Sequence, residues 1–176
     1  MANREALREL QARLASKLQA ARSEGVTASW LAVRVGAANY LFPLAQSGEI
    51  FPLANVQLVP YARPWFMGVV NLRGGLYGVV DLASFMADGS TPARTGQSLA
   101  QASVITINAA LELNCALMVD SLAGLRNPEA FSDAGVPPEG SPVYFGNRFT
   151  DLNGVRWQEI NLQSLSQFAE FLSIGA

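Results

Sequence analysis

Two hydrophobic periods divide the chain. Between residues 3 and 24, Leu7, Leu10, Leu14 and Leu18 recur at intervals of three and four among Arg, Glu, Gln and Ser, the spacing of one apolar stripe on an α-helix. Asn3 can cap that helix and Gly25 can end it. The stripe suits either a helix packed on the domain that follows or a helix that docks on a partner. Beyond Gly25 the period shortens to two: Leu31, Val33 and Val35 alternate with Ala32 and Arg34, and Gly36-Ala37-Ala38-Asn39 turns the chain into Tyr40–Leu44. Pro43 would cost a ladder bond in mid-sheet and belongs at an edge or a bend. Ser47–Pro52 reads as a further strand.

The most informative stretch is Met67–Leu82, two β-rich runs around Arg73-Gly74-Gly75, where glycine accepts positive φ without a Cβ clash. Asp88–Gln101 is polar and predicts a surface loop. Ser103–Ala109 and Leu113–Asp120 predict a second hairpin, and Asn127–Pro142 another loop. Tyr144–Asp151 and Val155–Ile160 should pair across Leu152-Asn153-Gly154, because Asn-Gly is a strong hairpin signal. Asn161 then caps a short helix with Leu162, Leu165, Phe168 and Leu172 on one side. The pattern therefore gives an N-terminal amphipathic helix, residues 1–25, and a mainly β domain, residues 26–176. About ten short strands are too many for one small barrel and suit two small barrels or a sandwich. Val79-Val80-Asp81-Leu82 and Met118-Val119-Asp120-Ser121-Leu122 echo each other, each placing an aspartate where an apolar strand ends.

Composition narrows the chemistry. Half of the 176 residues are apolar and 15% are charged, with a net charge of −2, which excludes global disorder. No apolar run approaches the ~20 residues of a membrane helix, and the charged first residues lead into no leader-like apolar stretch. Lys17 is the single lysine beside eleven arginines, so no basic surface exists to neutralise a run of phosphates. Histidine is absent, which removes Ser-His-Asp and Cys-His catalysis and imidazole metal ligation. One cysteine, Cys115, cannot form an internal disulfide and fits a reducing cytoplasm. No cofactor and no metal is expected.

The remaining candidates have two readings each. Asp81 and Asp120 could form a carboxylate pair in the mouth of a hydrolytic or small-ligand-binding β-barrel; as strand-ending aspartates they could instead accept backbone N–H groups in the following turns. Cys115 sits in a strand without basic neighbours and reads as a small buried hydrophobe. Gly74–Gly78 lacks the lysine, spacing and helix of a phosphate loop. Trp30 and Trp65 could stack on a base or sugar, as a nucleic-acid-binding barrel would require, but without a basic stripe they read as packing residues. Arg73 is different, since no requirement of the hairpin demands a cation at its tip, and arginine is enriched at binding hot spots.

The run Gly68-Val69-Val70-Asn71-Leu72-Arg73-Gly74, followed by Val79-Val80-Asp81-Leu82, resembles the signature of CheW-type coupling domains of bacterial chemosensory systems. Tyr40, Glu49-Ile50, Pro64 with Phe66, Met118-Val119-Asp120 and Asn161-Leu162 agree in order and spacing, so the resemblance spans about residues 29–172. Trp65, the long first helix and the low charge bring the chain nearest to the coupling protein of the type IV pilus twitching pathway. The coupling protein of chemotaxis proper, or an accessory coupling protein of the pilus pathway, is the variant within the family.

The resemblance implies two intertwined five-stranded SH3-like barrels, no catalysis, and a cytoplasmic scaffold recruited to membrane-bound receptor arrays without inserting into the membrane. Its implied partners are the cytoplasmic tip of a chemoreceptor and the regulatory domain of a CheA-type histidine kinase, with no nucleic acid. Carried over, Ser47, Glu49 and Ile50 lie on the strand used near those contacts, and Arg73 matches the exposed motif arginine. Gly68, Asn71, Gly74, Asp81 and Asp120 match positions that serve turn and strand geometry. Ser47 departs from a usually apolar residue, and Gly78 from a usual proline.

Overall fold

The computed structural model describes residues 2–24, 29–87 and 95–175. The expected stop at Gly25, the side chain of Leu18 and residues 88–94 of the expected loop lie outside them. Helix α1 covers Ala2–Glu24. Strands β1 (Trp30–Val35) and β2 (Ala38–Pro43) form the first hairpin, and Pro43 ends its strand at a 3-10 turn, Leu44–Gln46. The chain continues as β3 (Ser47–Pro52), β4 (Phe66–Leu72), β5 (Gly75–Asp81) and helix α2 (Leu82–Met86). Helix α3 (Gly96–Gln101) precedes β6 (Ser103–Ile107) and β7 (Cys115–Val119). Strands β8 (Ser121–Arg126), β9 (Phe131–Gly135), β10 (Phe145–Asp151) and β11 (Arg156–Ile160) lead to helices α4 (Leu162–Ser166) and α5 (Ala169–Leu172).

Two sheets result. One has the order β8-β1-β2-β11-β10-β9, the other β3-β6-β7-β5-β4. The chain starts in the first, builds all of the second, and returns to complete the first, so the two units interlock in sequence as expected. The echoing segments prove to be neighbours: β5 and β7 run parallel, with Val79 opposite Ala116 and Asp81 opposite Met118. Leu31, Val33, Ile105, Leu117, Ile160 and Leu162 meet in the main core.

Three expectations need correction, and one strand was not foreseen. The loop predicted through Gln101 ends in α3, because the Thr95 hydroxyl accepts the Ser98 N–H at 3.1 Å and starts a helical turn. The loop predicted over Asn127–Pro142 contains β9, a largely exposed edge strand whose Ser-Asp-Ala-Gly lacks alternation. Strand β8 also escaped the pattern; it is half-buried throughout and carries Gly124 at φ 99°. The closing helix is two, α4 and α5, broken at Gln167 and Phe168, and the break turns Phe171 inward while leaving Leu172 49% exposed.

Helix α1 packs on its own domain, chiefly against β3 and less against β8 and α3. Its hold is narrow. Among the side chains described on it, Gln11 and Leu14 alone are buried, Leu7 is half-exposed and Leu10 is 43% exposed. Gln11 Nε2 donates to the Ser103 hydroxyl at 2.6 Å. Burying one leucine contributes about 1.5–3 kcal/mol and one hydrogen bond about 1 kcal/mol.

Candidate functional site

The sequence of β3 alone does not reveal how it presents its residues. Ser47 pairs with Ile107 and Ile50 with Ile105, so three steps on β3 match two on β6. This bulge lets both Ser47 and Ile50 face inward and turns Glu49 outward. Gly48 makes it possible: a Cβ there would overlap the Thr106 side chain and lie 2.7 Å from its carbonyl oxygen. The Thr106 hydroxyl in turn accepts the Glu49 N–H at 2.7 Å, occupying a donor that the bulge removes from the ladder.

Opposite stands the β4–β5 turn. Arg73 and Gly74 form a two-residue connection with φ of 50° and 81°, both left-handed, as the favoured hairpin turn requires. The Asn71 side-chain carbonyl accepts the Gly74 N–H at 3.0 Å. The turn is thereby held without any help from the arginine side chain. That side chain crosses to β3, where its guanidinium meets the Glu49 carboxylate at 3.0 Å and lies 5.7 Å from the centre of the Phe51 ring. Because β3 and β4 are opposite edges of one five-stranded sheet, the contact requires the sheet to curl on itself. The segment after β3 helps close it: Gln57 pairs with Val69, and a Cβ on Gly68 would overlap the Gln57 carbonyl.

Of the four residues expected to meet partners, the fold brings Arg73 and Glu49 together in the open, with side chains 73% and 40% exposed. Ser47 and Ile50 lie beneath them. Ser47 is fully buried and donates its hydroxyl to the Pro43 carbonyl at 2.9 Å, and Ile50 belongs to the main core. They support β3 from inside. Phe51, the aromatic platform under the guanidinium, was missed, although its position two residues after Glu49 places it on the same face of a strand.

The two aspartates take up structural work. Asp81 caps α2, its carboxylate accepting the Ser84 N–H at 3.4 Å while its own N–H reaches the Trp65 carbonyl. Asp120 accepts the Gly36 N–H with its carboxylate and bonds through its N–H to the Arg34 carbonyl, fastening β7 to the β1–β2 turn. Cys115 is buried, and desolvation pushes its thiol up to about 12, so it carries no thiolate at neutral pH. Trp65 packs on Phe85 and Phe171, and Trp30 on Phe131 and Phe149 with its indole N–H given to Glu159 at 2.6 Å. Neither offers a free face for stacking. Among the described residues no cluster of three or more His, Cys, Asp or Glu could hold a metal, and no helix is long and apolar enough to cross a membrane.

What the arrangement can do chemically is bind. It offers a planar cation, a carboxylate and an aromatic face on one curled sheet, and such a group recognises another protein surface through charge-assisted and stacking contacts. A family model described as the CheW-like domain matches residues 29–167. The chain is 25% identical over 170 residues to Protein PilI of Pseudomonas aeruginosa, covering 93% of this chain and 89% of that one. The solved structure of scaffolding protein TtCheW from Thermoanaerobacter tengcongensis superposes with a TM-score of 0.59 at 12% identity, over 77% of this chain and 89% of its own. At that identity the likeness speaks for the fold.

Proposed function

Since this chain belongs to the CheW-like domain family, a family of non-catalytic coupling and scaffold proteins, we propose that it joins a methyl-accepting chemoreceptor to a CheA-type histidine kinase. We propose further that the pathway controls twitching by type IV pili, as the similarity to PilI over most of both chains supports. In this reading it is a cytoplasmic adaptor, recruited to receptor arrays by its partners. Arg73, with Glu49 and Phe51 beside it, forms part of the partner-facing surface.

The single observation that carries the reading is the Arg73–Glu49 pair. An exposed ion pair of this kind adds at most about 1 kcal/mol to stability, and Asn71 already secures the turn. An arginine held in the open over an aromatic ring and a carboxylate is preorganised for association. An adaptor conducts a signal only when its contacts differ between kinase-on and kinase-off states, and an ion pair that can exchange partners is suited to that.

Calorimetric titration of the kinase regulatory domain and of the receptor's signalling tip against Arg73→Ala tests the reading. Affinity for at least one partner should fall about tenfold or more, with the melting temperature unchanged. Wild-type affinity for both would remove Arg73 from the surface, and failure of the wild-type chain to bind either would remove the adaptor reading itself.

A further inference from the structure

Of the chain's asparagines, only Asn153 is followed by glycine. That pair is chemically vulnerable. The backbone nitrogen of the following residue can attack the asparagine side-chain carbonyl, and glycine, lacking a Cβ, leaves the approach open. In that reaction the Gly154 nitrogen gives up its proton and bonds to Asn153 Cγ. The Cγ–Nδ2 bond breaks, and ammonia leaves with a proton in place of the one surrendered. Water then opens the cyclic imide at either carbonyl. The product is aspartate or isoaspartate, and in isoaspartate the backbone runs through the side chain and is longer by its Cβ.

Burial does not protect the pair, since Asn153 and Gly154 are both exposed and water and base reach them freely. Hydrogen bonds do. Gly154, at φ 80°, closes the loop Leu152-Asn153-Gly154 in the left-handed region, as the last residue of such a hairpin loop commonly does. Its N–H donates to the Asp151 carbonyl at 3.0 Å, and the Asp151 N–H donates to the Val155 carbonyl at 2.9 Å. The amides on either side of Gly154, those of Asn153 and Val155, donate to Asp151 Oδ1 at 2.8 and 2.9 Å. Oδ2 is anchored in turn by the indole N–H of Trp157, a buried residue. Ring closure strips the Gly154 nitrogen of its hydrogen, so its bond to the Asp151 carbonyl must break first. A carboxylate in the same turn also opposes the negative charge that this nitrogen carries as it attacks.

We propose that Asn153 is a latent deamidation site and that Asp151 is the clamp that keeps it closed in the folded chain. Conversion is then confined to the fraction of chains in which the tip has opened. Whatever loosens Asp151 exposes the site without unfolding the rest. The site is independent of the partner-facing role proposed for Arg73.

The experiment holds full-length wild type, Asp151→Ala and Asp151→Asn in warm, mildly alkaline buffer, with the wild type also held in urea. Peptide mass spectrometry with electron-transfer fragmentation locates each converted asparagine and separates aspartate from isoaspartate. In urea, Asn153 should convert ahead of every other asparagine. In the folded wild type it should convert at least about tenfold more slowly, because the tip is open only in a minor population. Both variants should regain much of the urea rate while circular dichroism and urea midpoints show the chain folded. Asp151→Ala removes both oxygens. Asp151→Asn keeps the shape, but its amide nitrogen cannot accept the indole N–H, and it serves should the alanine variant fold poorly. Equal rates for the wild type folded and in urea would overturn the clamp, as would a folded variant that converts no faster than wild type. Failure of Asn153 to lead in urea would overturn the site itself.

Discussion

Two hairpin tips in this molecule each turn on a glycine of positive φ and differ in what their side chains do. At the β10–β11 tip, Gly154 has φ 80°, and Asp151 accepts the N–H groups of Asn153 and Val155 at 2.8 and 2.9 Å and the Trp157 indole N–H at 3.0 Å. The carboxylate there is spent on hydrogen bonds within its own hairpin. At the β4–β5 tip, Gly74 has nearly the same φ, 81°, and Asn71 secures the turn as Asp151 does at the other. Arg73, however, reaches out of its own hairpin to Glu49 and Phe51 on β3. The comparison teaches where to look for binding residues in a chain of a scaffold family. A strong group already committed to its own turn is structural, whereas one the turn does not need is available to a partner.

Substitutions can break that contrast. The largest effect is expected from Gly48→Ala, whose Cβ would drive into Thr106. Overpacking of this kind costs about 1–3 kcal/mol, measurable by urea denaturation. It should also reduce partner affinity, because closing the bulge turns Glu49 away from Arg73; unchanged stability would mean that β3 adapts and the bulge does not set the site.

Asp151→Asn should act only on the fold, and in a pH-dependent way. The Trp157 indole N–H foremost, then the Val155 and Asn153 N–H groups and the nearby Arg126, hold the Asp151 carboxyl below its ordinary value of 3.8. Its folded pKa is therefore lower than its unfolded one. The stabilisation is present above the ordinary value and is lost as pH falls through the depressed one. Urea midpoints taken from pH 6 to pH 2 should drop less steeply below pH 3.8 in the variant, with partner binding at neutral pH unaltered. Parallel acid limbs would remove Asp151 from that role.

The smallest change in stability, and the sharpest discrimination, is expected from Arg73→Gly. Glycine takes φ 50° without a Cβ clash, while its greater freedom in the unfolded chain offsets much of that gain. Stability should stay within about 0.5 kcal/mol of wild type, yet partner affinity should fall as far as in Arg73→Ala. A loss of stability would show that the guanidinium holds the sheet curl and that the two tips are alike after all.

Much of this architecture was legible in the residues. The 3.6-residue stripe of Leu7, Leu10 and Leu14 marked α1, the alternation from Leu31 marked β1, and Arg73-Gly74 and Asn153-Gly154 marked their turns, because periodicity and left-handed φ are properties of a few neighbouring residues. The capping aspartate at Asp81 was equally local. Other features carried no such signal. Strands β8 and β9 are half-buried or exposed, so their backbones are held by neighbours rather than by an apolar pattern. Phe171 replaced Leu172 in the core because α4 and α5 part at Gln167, a break with no glycine or proline to announce it.

By itself, then, the sequence determined the mainly β class, the order of the hairpins it marked and, through the motif around Arg73, the family. The tertiary structure alone decided that Ser47 and Ile50 face inward, that Thr106 and Gly48 aim Glu49 outward, that Phe51 lies under the guanidinium, and that α1 rests on β3. The reason is the range of the forces concerned. A turn or a helix is fixed by residues within a few positions, whereas a pair 24 residues apart exists only once a five-stranded sheet has curled far enough to bring its two edges together.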